Sequence, residues 1–122
     1  MILAVTSVWA DHLRRDNAGL RRLLDDAAVV CHPFVIGELA CGTLRNRDKI
    51  LEMLARLPSA PVAQDGEVLA LIAARRLTGR GLGWVDVHLL ASALLGGAQL
   101  WTLDRPLEDA AGRLGISAAV RR

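Results

Sequence analysis

Short aliphatic runs alternate along this chain with longer stretches whose apolar residues recur every three or four positions. The runs are ILAV (2–5), AVVC (28–31), AQLWTLD (98–104) and ISAAV (116–120), with a further short one inside PSAPVA (58–63). An apolar run of that length, continuous rather than alternating, reads as a strand buried on both faces. The helical stretches between runs are long enough to carry the chain back to the start of the sheet, so the strands pair in parallel. This order predicts an α/β fold, a three-layer α/β/α sandwich with a central parallel sheet. In such sheets the ligand site lies beyond the carboxyl ends of the strands, which is where chemistry is to be sought.

The helices can be placed from their caps and stripes. Thr6 or Ser7 is positioned to cap a helix through VWADHLRR, and Asn17 to cap AGLRRLLDDA. His32-Pro33 opens FVIGELACGTL, because proline is tolerated in a first turn. RDKILEMLARL, DGEVLALIAARRL and RPLEDAAGRLG carry apolar residues at helical spacing. VDVHLLASALLGG is apolar nearly all round and is expected to be a buried helix. Pro58 and Pro61 rule out a long strand in PSAPVA.

At 122 residues, with no repeat, linker or low-complexity segment, the chain is expected to form one domain over 1–122. No apolar run reaches the roughly 18–20 residues that span a bilayer. MILAV has no basic segment before it and Asp11 follows soon after, which does not fit a signal peptide. The expected setting is therefore soluble and cytoplasmic, with no membrane partner. Cys31 and Cys41 lack metal-site spacing and are expected to be reduced core residues. The formal net charge is only +2, which gives no strong electrostatic footprint for nucleic acid. Fourteen of the fifteen basic residues are Arg, a residue suited to bidentate phosphate contacts, although GC-rich codon usage gives the same bias.

Most acidic residues stand beside arginines on helix surfaces; three do not. Glu38 is the only charge between Asp26 and Arg45, Asp86 is the only one between Arg80 and Asp104, and Asp104 closes the apolar run QLWTL. A lone buried carboxylate is costly unless it is paired or binds a cation. Each has a plain structural reading: Glu38 as the exposed position of a buried helix, Asp86 as a first-turn acid, Asp104 as an N-cap. Together they point elsewhere, because a parallel sheet can bring Asp86 and Asp104 to neighbouring positions. Converging carboxylates without His or Cys favour a hard cation, Mg²⁺ or Mn²⁺, whose usual task is phosphoryl chemistry.

Other patterns carry less. GRGLGW has Trp84 where a dinucleotide loop needs its last glycine, and it lacks the GK[ST] of a P-loop. Its expected task is to turn tightly and deliver Asp86 to a helix start. His88 reads as a satisfied core histidine, and Trp9, Trp84 and Trp101 as core or rim packing.

The segments TSVWADHLRR, HPFVIGELACGTLRNR, GRGLGWVDVHLLASALL and LWTLDRPL together resemble PIN-domain ribonucleases, in particular VapC-type toxins of bacterial toxin–antitoxin pairs, over essentially the whole chain. The resemblance implies a PIN-like sandwich and a Mg²⁺-dependent endoribonuclease that cuts RNA. It also implies a homodimer and a small cognate antitoxin whose tail fills the active-site groove. Position by position, Glu38, Asp86 and Asp104 match three of the family's acidic metal-site residues. Thr102 matches a hydroxyl beside the last acid, and Thr6 and Ser7 match the hydroxyls after the first strand. The family pattern resembles VDTSVW, whereas this chain reads AVTSVW, so Val5 stands where a metal-binding Asp is expected. Asp11 lies about a turn and a half into the next helix and is not a replacement. The expectation is a folded chain with impaired catalysis. The alternatives are a non-catalytic module that binds RNA or antitoxin, and a phosphorylation-receiver domain. The receiver reading requires an acid pair after the first strand and a lysine after a late one, and the only lysine here is Lys49.

Overall fold

A computed structural model describes residues 1–120; the last two residues of the expected 1–122 domain lie outside the described residues. Three parallel strands, β1 (Ile2–Ala4), β2 (Val29–Val30) and β3 (Gln99–Trp101), pair in the order β2-β1-β3. Leu3 sits at the centre, aligned with Val30 on one side and Leu100 on the other. Single parallel bridges extend the sheet at both edges, Cys31 with Ser59 and Leu100 with Ser117.

Seven helices complete the chain: α1 (Thr6–Arg15), α2 (Ala18–Asp25), α3 (Pro33–Cys41), α4 (Arg47–Arg56), α5 (Asp65–Arg75), α6 (Trp84–Gly96) and α7 (Arg105–Arg113). From β1 the chain steps outward through β2 to Ser59, then returns across the sheet to β3 on the far side of β1. Right-handed crossovers in opposite directions put the first four helices on one face and the last three on the other. The packing agrees, since α1 contacts α2 and α3, α3 contacts α4, and α5 contacts α6. This is the expected α/β/α sandwich. The order reverses between β1 and β3, and the crevice beyond their carboxyl ends is the favoured ligand position of such a sheet.

Leu3, Val8, Trp9, Leu20, Leu90 and Leu100 are fully buried between these layers. Burial of an aliphatic side chain of this size contributes roughly 1.5–3 kcal/mol. α6 is buried from Val87 through Ala93, but its end exposes Leu94 and Leu95, so its apolar surface is only partly enclosed. No helix is long and apolar enough to cross a membrane among the described residues.

Several local expectations are corrected. Val5, not Thr6 or Ser7, occupies the N-cap position of α1, and no side chain caps that helix. The Val5 carbonyl accepts from Val8 N and Trp9 N, so the helix starts directly at the strand end and leaves both hydroxyls to reach sideways. PSAPVA and ISAAV contribute one bridge each rather than strands. In PSAPVA the two prolines lack the N–H a ladder needs. AQLWTLD pairs only through Trp101, because the Asp104 N–H turns back onto Thr102 Oγ1 at 3.0 Å. α3 ends at Cys41, with Gly42 as its C-cap. Cys31 is buried, and burial raises its thiol pKa, but Cys41 is exposed at the helix end and is not a core residue. Asn17 caps α2 as expected, accepting from Leu20 N at 3.1 Å.

Candidate active site

Val5 joins β1 to α1 at the switch point. Its N–H donates to Trp101 O at 3.0 Å, extending the β1–β3 ladder by one bond, and its side chain is only 3% exposed. The two hydroxyls that follow tie this corner to its neighbours. Thr6 Oγ1 donates to Glu38 Oε1 at 2.6 Å, linking α1 to α3. Ser7 Oγ lies 3.2 Å from Thr102 Oγ1 and accepts from Leu103 N at 3.0 Å, linking α1 to the segment after β3. Residues 95 positions apart are thus held together by one pair of hydroxyls.

Asp104 and Asp86 each stand at a helix start. Asp104 is the N-cap of α7, and its Oδ2 accepts from Leu107 N at 3.2 Å. Asp86 lies in the first turn of α6, where its Oδ2 accepts from Gly83 N at 2.9 Å. A carboxylate in either place satisfies an orphan N–H and complements the helix dipole. The glycine-rich loop acts as its sequence suggests. Gly81 has φ +75°, and a Cβ there would meet Pro106 at 3.6 Å, so the turn seats against the first turn of α7.

Hydrogen bonds through Thr6, Ser7 and Thr102 thus tie Val5's corner to Glu38 and to the Asp104 backbone, whereas Asp86 is bonded only within its own glycine turn. The three acids are less buried than their apolar segments suggest: Glu38 and Asp104 are exposed, and Asp86 is half-buried. The tertiary structure places each at a surface edge that its sequence neighbours do not reveal. No group of three His, Cys, Asp or Glu side chains is placed to hold a metal ion among the described residues. The oxygen donors suit a hard cation in kind. As arranged they do not make a complete site, because among the described residues no three of the carboxylates are placed to share an ion and Val5 supplies no ligand.

Asp11 serves the α1–α2 corner instead. It is buried, and accepts from Arg15 Nε at 2.7 Å and from Asn17 Nδ2 at 2.9 Å. His88 is buried with Nε2 3.0 Å from Asp65 Oδ1, while its Nδ1 has no partner among the described residues, so it is less satisfied than expected. Its ring packs edge-on against Phe34 and Trp84. Trp84 is 43% exposed and forms the rim of that cluster, whereas Trp9 and Trp101 are core.

A pocket of about 840 Å³ opens beside Glu38 and Thr6, between α1 and the α3–α4 connection, and Arg14 and Arg45 line it. Sequence reasoning passed over both arginines. One signal was present: Thr6, Ala10, Leu13 and Arg14 follow at intervals of four, three and one, which puts all four on one face of α1.

Comparison with known proteins now adds to this geometry. The family model described as PIN domain matches residues 2–113. Two relatives, each named Ribonuclease VapC32, from Mycobacterium tuberculosis strains CDC 1551 / Oshkosh and ATCC 25618 / H37Rv, are 52% identical to this chain over 120 residues. The match covers 98% of this chain and 97% of each relative.

Proposed function

This chain belongs to the PIN-domain family, as a VapC-type ribonuclease, and from that premise we propose that it is the toxin of a toxin–antitoxin pair, weakened at its own active site. Its substrate is RNA, cut by hydrolysis of phosphodiester bonds with a divalent cation, Mg²⁺ or Mn²⁺. A cognate antitoxin occupies the groove and neutralises it, and two copies pair in the cytoplasm.

One observation carries the reading of weakened catalysis. A buried valine sits at the switch point of the sheet, between two hydroxyl-bridged contacts, Thr6–Glu38 and Ser7–Thr102. The neighbours are arranged for a site, while the residue at their centre has no donor. Thr6 fixes the orientation of Glu38. Thr102 orients the Asp104 backbone, and Asp86 remains at the mouth of the glycine turn. What is missing is a ligand and its negative charge, and placement of a nucleophilic water depends on the complete ligand set.

The test is Val5→Asp. Purified variant and parent are incubated with RNA over a Mg²⁺ titration. The variant is expected to cleave RNA with Mg²⁺, the parent weakly or not at all, and Asp86→Asn in the Val5→Asp background is expected to abolish cleavage. An inert Val5→Asp chain would sink the proposal. The second reading, a non-catalytic module that binds RNA or antitoxin, draws support from the incomplete donor group. It predicts that Val5→Asp binds as the parent does and cleaves nothing.

A further inference from the structure

We propose that the pocket between α1 and α4 is a phosphate subsite, in which Arg14 and Arg45 grip the RNA backbone next to the cleavage position. The inference rests on the ribonuclease reading above and extends it to how the strand is held.

Three observations converge. Neither guanidinium makes a hydrogen bond or ion pair among the described residues, although most other arginines on this face have partners: Arg15 with Asp11, Arg21 with Asp16 and Arg56 with Glu52. Two unpaired guanidinium groups lining one concave surface suit a phosphodiester, which each can meet with a planar fork of donors. Second, α4 starts at the pocket without a side-chain cap. Its N-cap residue Asn46 lies in the left-handed region (φ +53°), lines the pocket and leaves its amide unengaged. An uncapped helix start adds N–H donors and the positive end of the dipole to the two arginines.

Third, the pocket reaches one of the candidate acids, Glu38. Thr6 and Glu38, which bond to each other, form its near wall. An anion bound by Arg14 and Arg45 therefore shares a pocket with Glu38 and with Thr6, the residue next to Val5. The volume of about 840 Å³ is within the 300–1,000 Å³ usual for ligand clefts. Leu13, Leu39 and Ile50 supply an apolar floor against which a ribose or base can rest. An acidic peptide would satisfy the same charges. The shared wall with Glu38 and Thr6 favours the substrate, because a strand lying against Glu38 is already at the edge of this pocket.

The experiment measures binding of a short fluorescein-labelled single-stranded RNA by anisotropy in EDTA, between about 50 and 200 mM salt. Arg14→Gln/Arg45→Gln is compared with the parent and with Arg113→Gln at the far end of α7. Both pocket arginines are exposed, so the double variant is expected to fold, with circular dichroism as the check. Loss of two phosphate contacts is expected to weaken binding about tenfold and to reduce the salt slope by about 1.4. Arg113→Gln is expected to match the parent, and Arg14→Lys/Arg45→Lys to recover the slope but only part of the affinity. Parent-like binding by the Gln variant, with Val5→Asp still cleaving RNA, overturns the subsite and leaves the ribonuclease reading standing. Parent-like RNA binding combined with lost binding of an acidic peptide assigns the pocket to a protein partner and overturns it as well. Absence of RNA binding by the parent, with an inert Val5→Asp, overturns both proposals.

Discussion

Val5 is well suited to its place as a core residue and poorly suited to it as a member of an active site. Its backbone bonds both to β3 and into α1, and its side chain is packed in the core. An aspartate there would be buried and stripped of water, so the present residue relieves a cost of about 1–3 kcal/mol. Val5→Asp is therefore expected to lower the melting temperature in EDTA and to regain stability as Mg²⁺ is added. The parent is expected to be indifferent to Mg²⁺. Thermal melts of the two proteins over a Mg²⁺ series check this without any assay of cleavage; equal responses would mean that position 5 is not part of a cation site.

The elements explain why the other acids have two readings at once. Asp104 caps α7 and Asp86 caps the turn into α6, so replacing either with alanine removes a helix-start bond as well as a carboxylate. Each Ala variant is expected to lose about 1 kcal/mol of stability, while Asn, which can accept the same bond, is expected to cost at most a few tenths. Denaturant melts of both pairs test this, and Asn variants are accordingly the clean probes of charge. Asn17 combines roles in a similar way. It caps α2 and donates to buried Asp11, so Asn17→Ala removes both the cap and one hydrogen bond to a buried carboxylate and is expected to cost about 2 kcal/mol, more than a cap alone. Its two loads fall on one short loop between helices, which neither helix pattern shows by itself.

At the scale of the whole molecule, pH acts through the seam where α3 meets α6. His32 is fully buried; its Nδ1 accepts from Phe34 N, and its Nε2 lies 3.0 Å from Ser92 Oγ. Burial, and secondarily the neighbouring His88, hold its pKa below the ordinary value of 6.5. The folded chain thus prefers the neutral ring and the unfolded chain takes up protons first. The resulting stability is fully present above pH 6.5 and is lost as pH falls from there towards the lowered folded value. His12, also lowered chiefly by burial, acts in the same direction. Melting temperature is expected to be flat above neutrality and to drop on acidification below about pH 6.5. His32→Asn, which can keep the α3 cap, is expected to reduce that slope and leave the His12 part. The expected homodimer has a matching surface feature: Val62, Leu69 and Leu95 are each half-exposed or more, on or beside α5 and α6. Light scattering is expected to give twice the 13.1 kDa chain mass, and Leu95→Glu to shift it towards one copy.

The sequence by itself determined the strand–helix alternation, the parallel sheet, the Asn17 cap, the turn that delivers Asp86 and the absence of an acid at position 5. These are local properties: periodicity, turn chemistry and residue type act over a few positions and survive any packing. Tertiary structure alone decided the rest. It turned Thr6 and Ser7 from caps into cross-links, because their partners Glu38 and Thr102 are brought in from distant parts of the chain. It also placed the lone carboxylates at exposed edges and left Arg14 and Arg45 unpaired over one pocket. Exposure and pairing depend on which surfaces meet, and here the order β2-β1-β3 brings together segments from both ends of the chain.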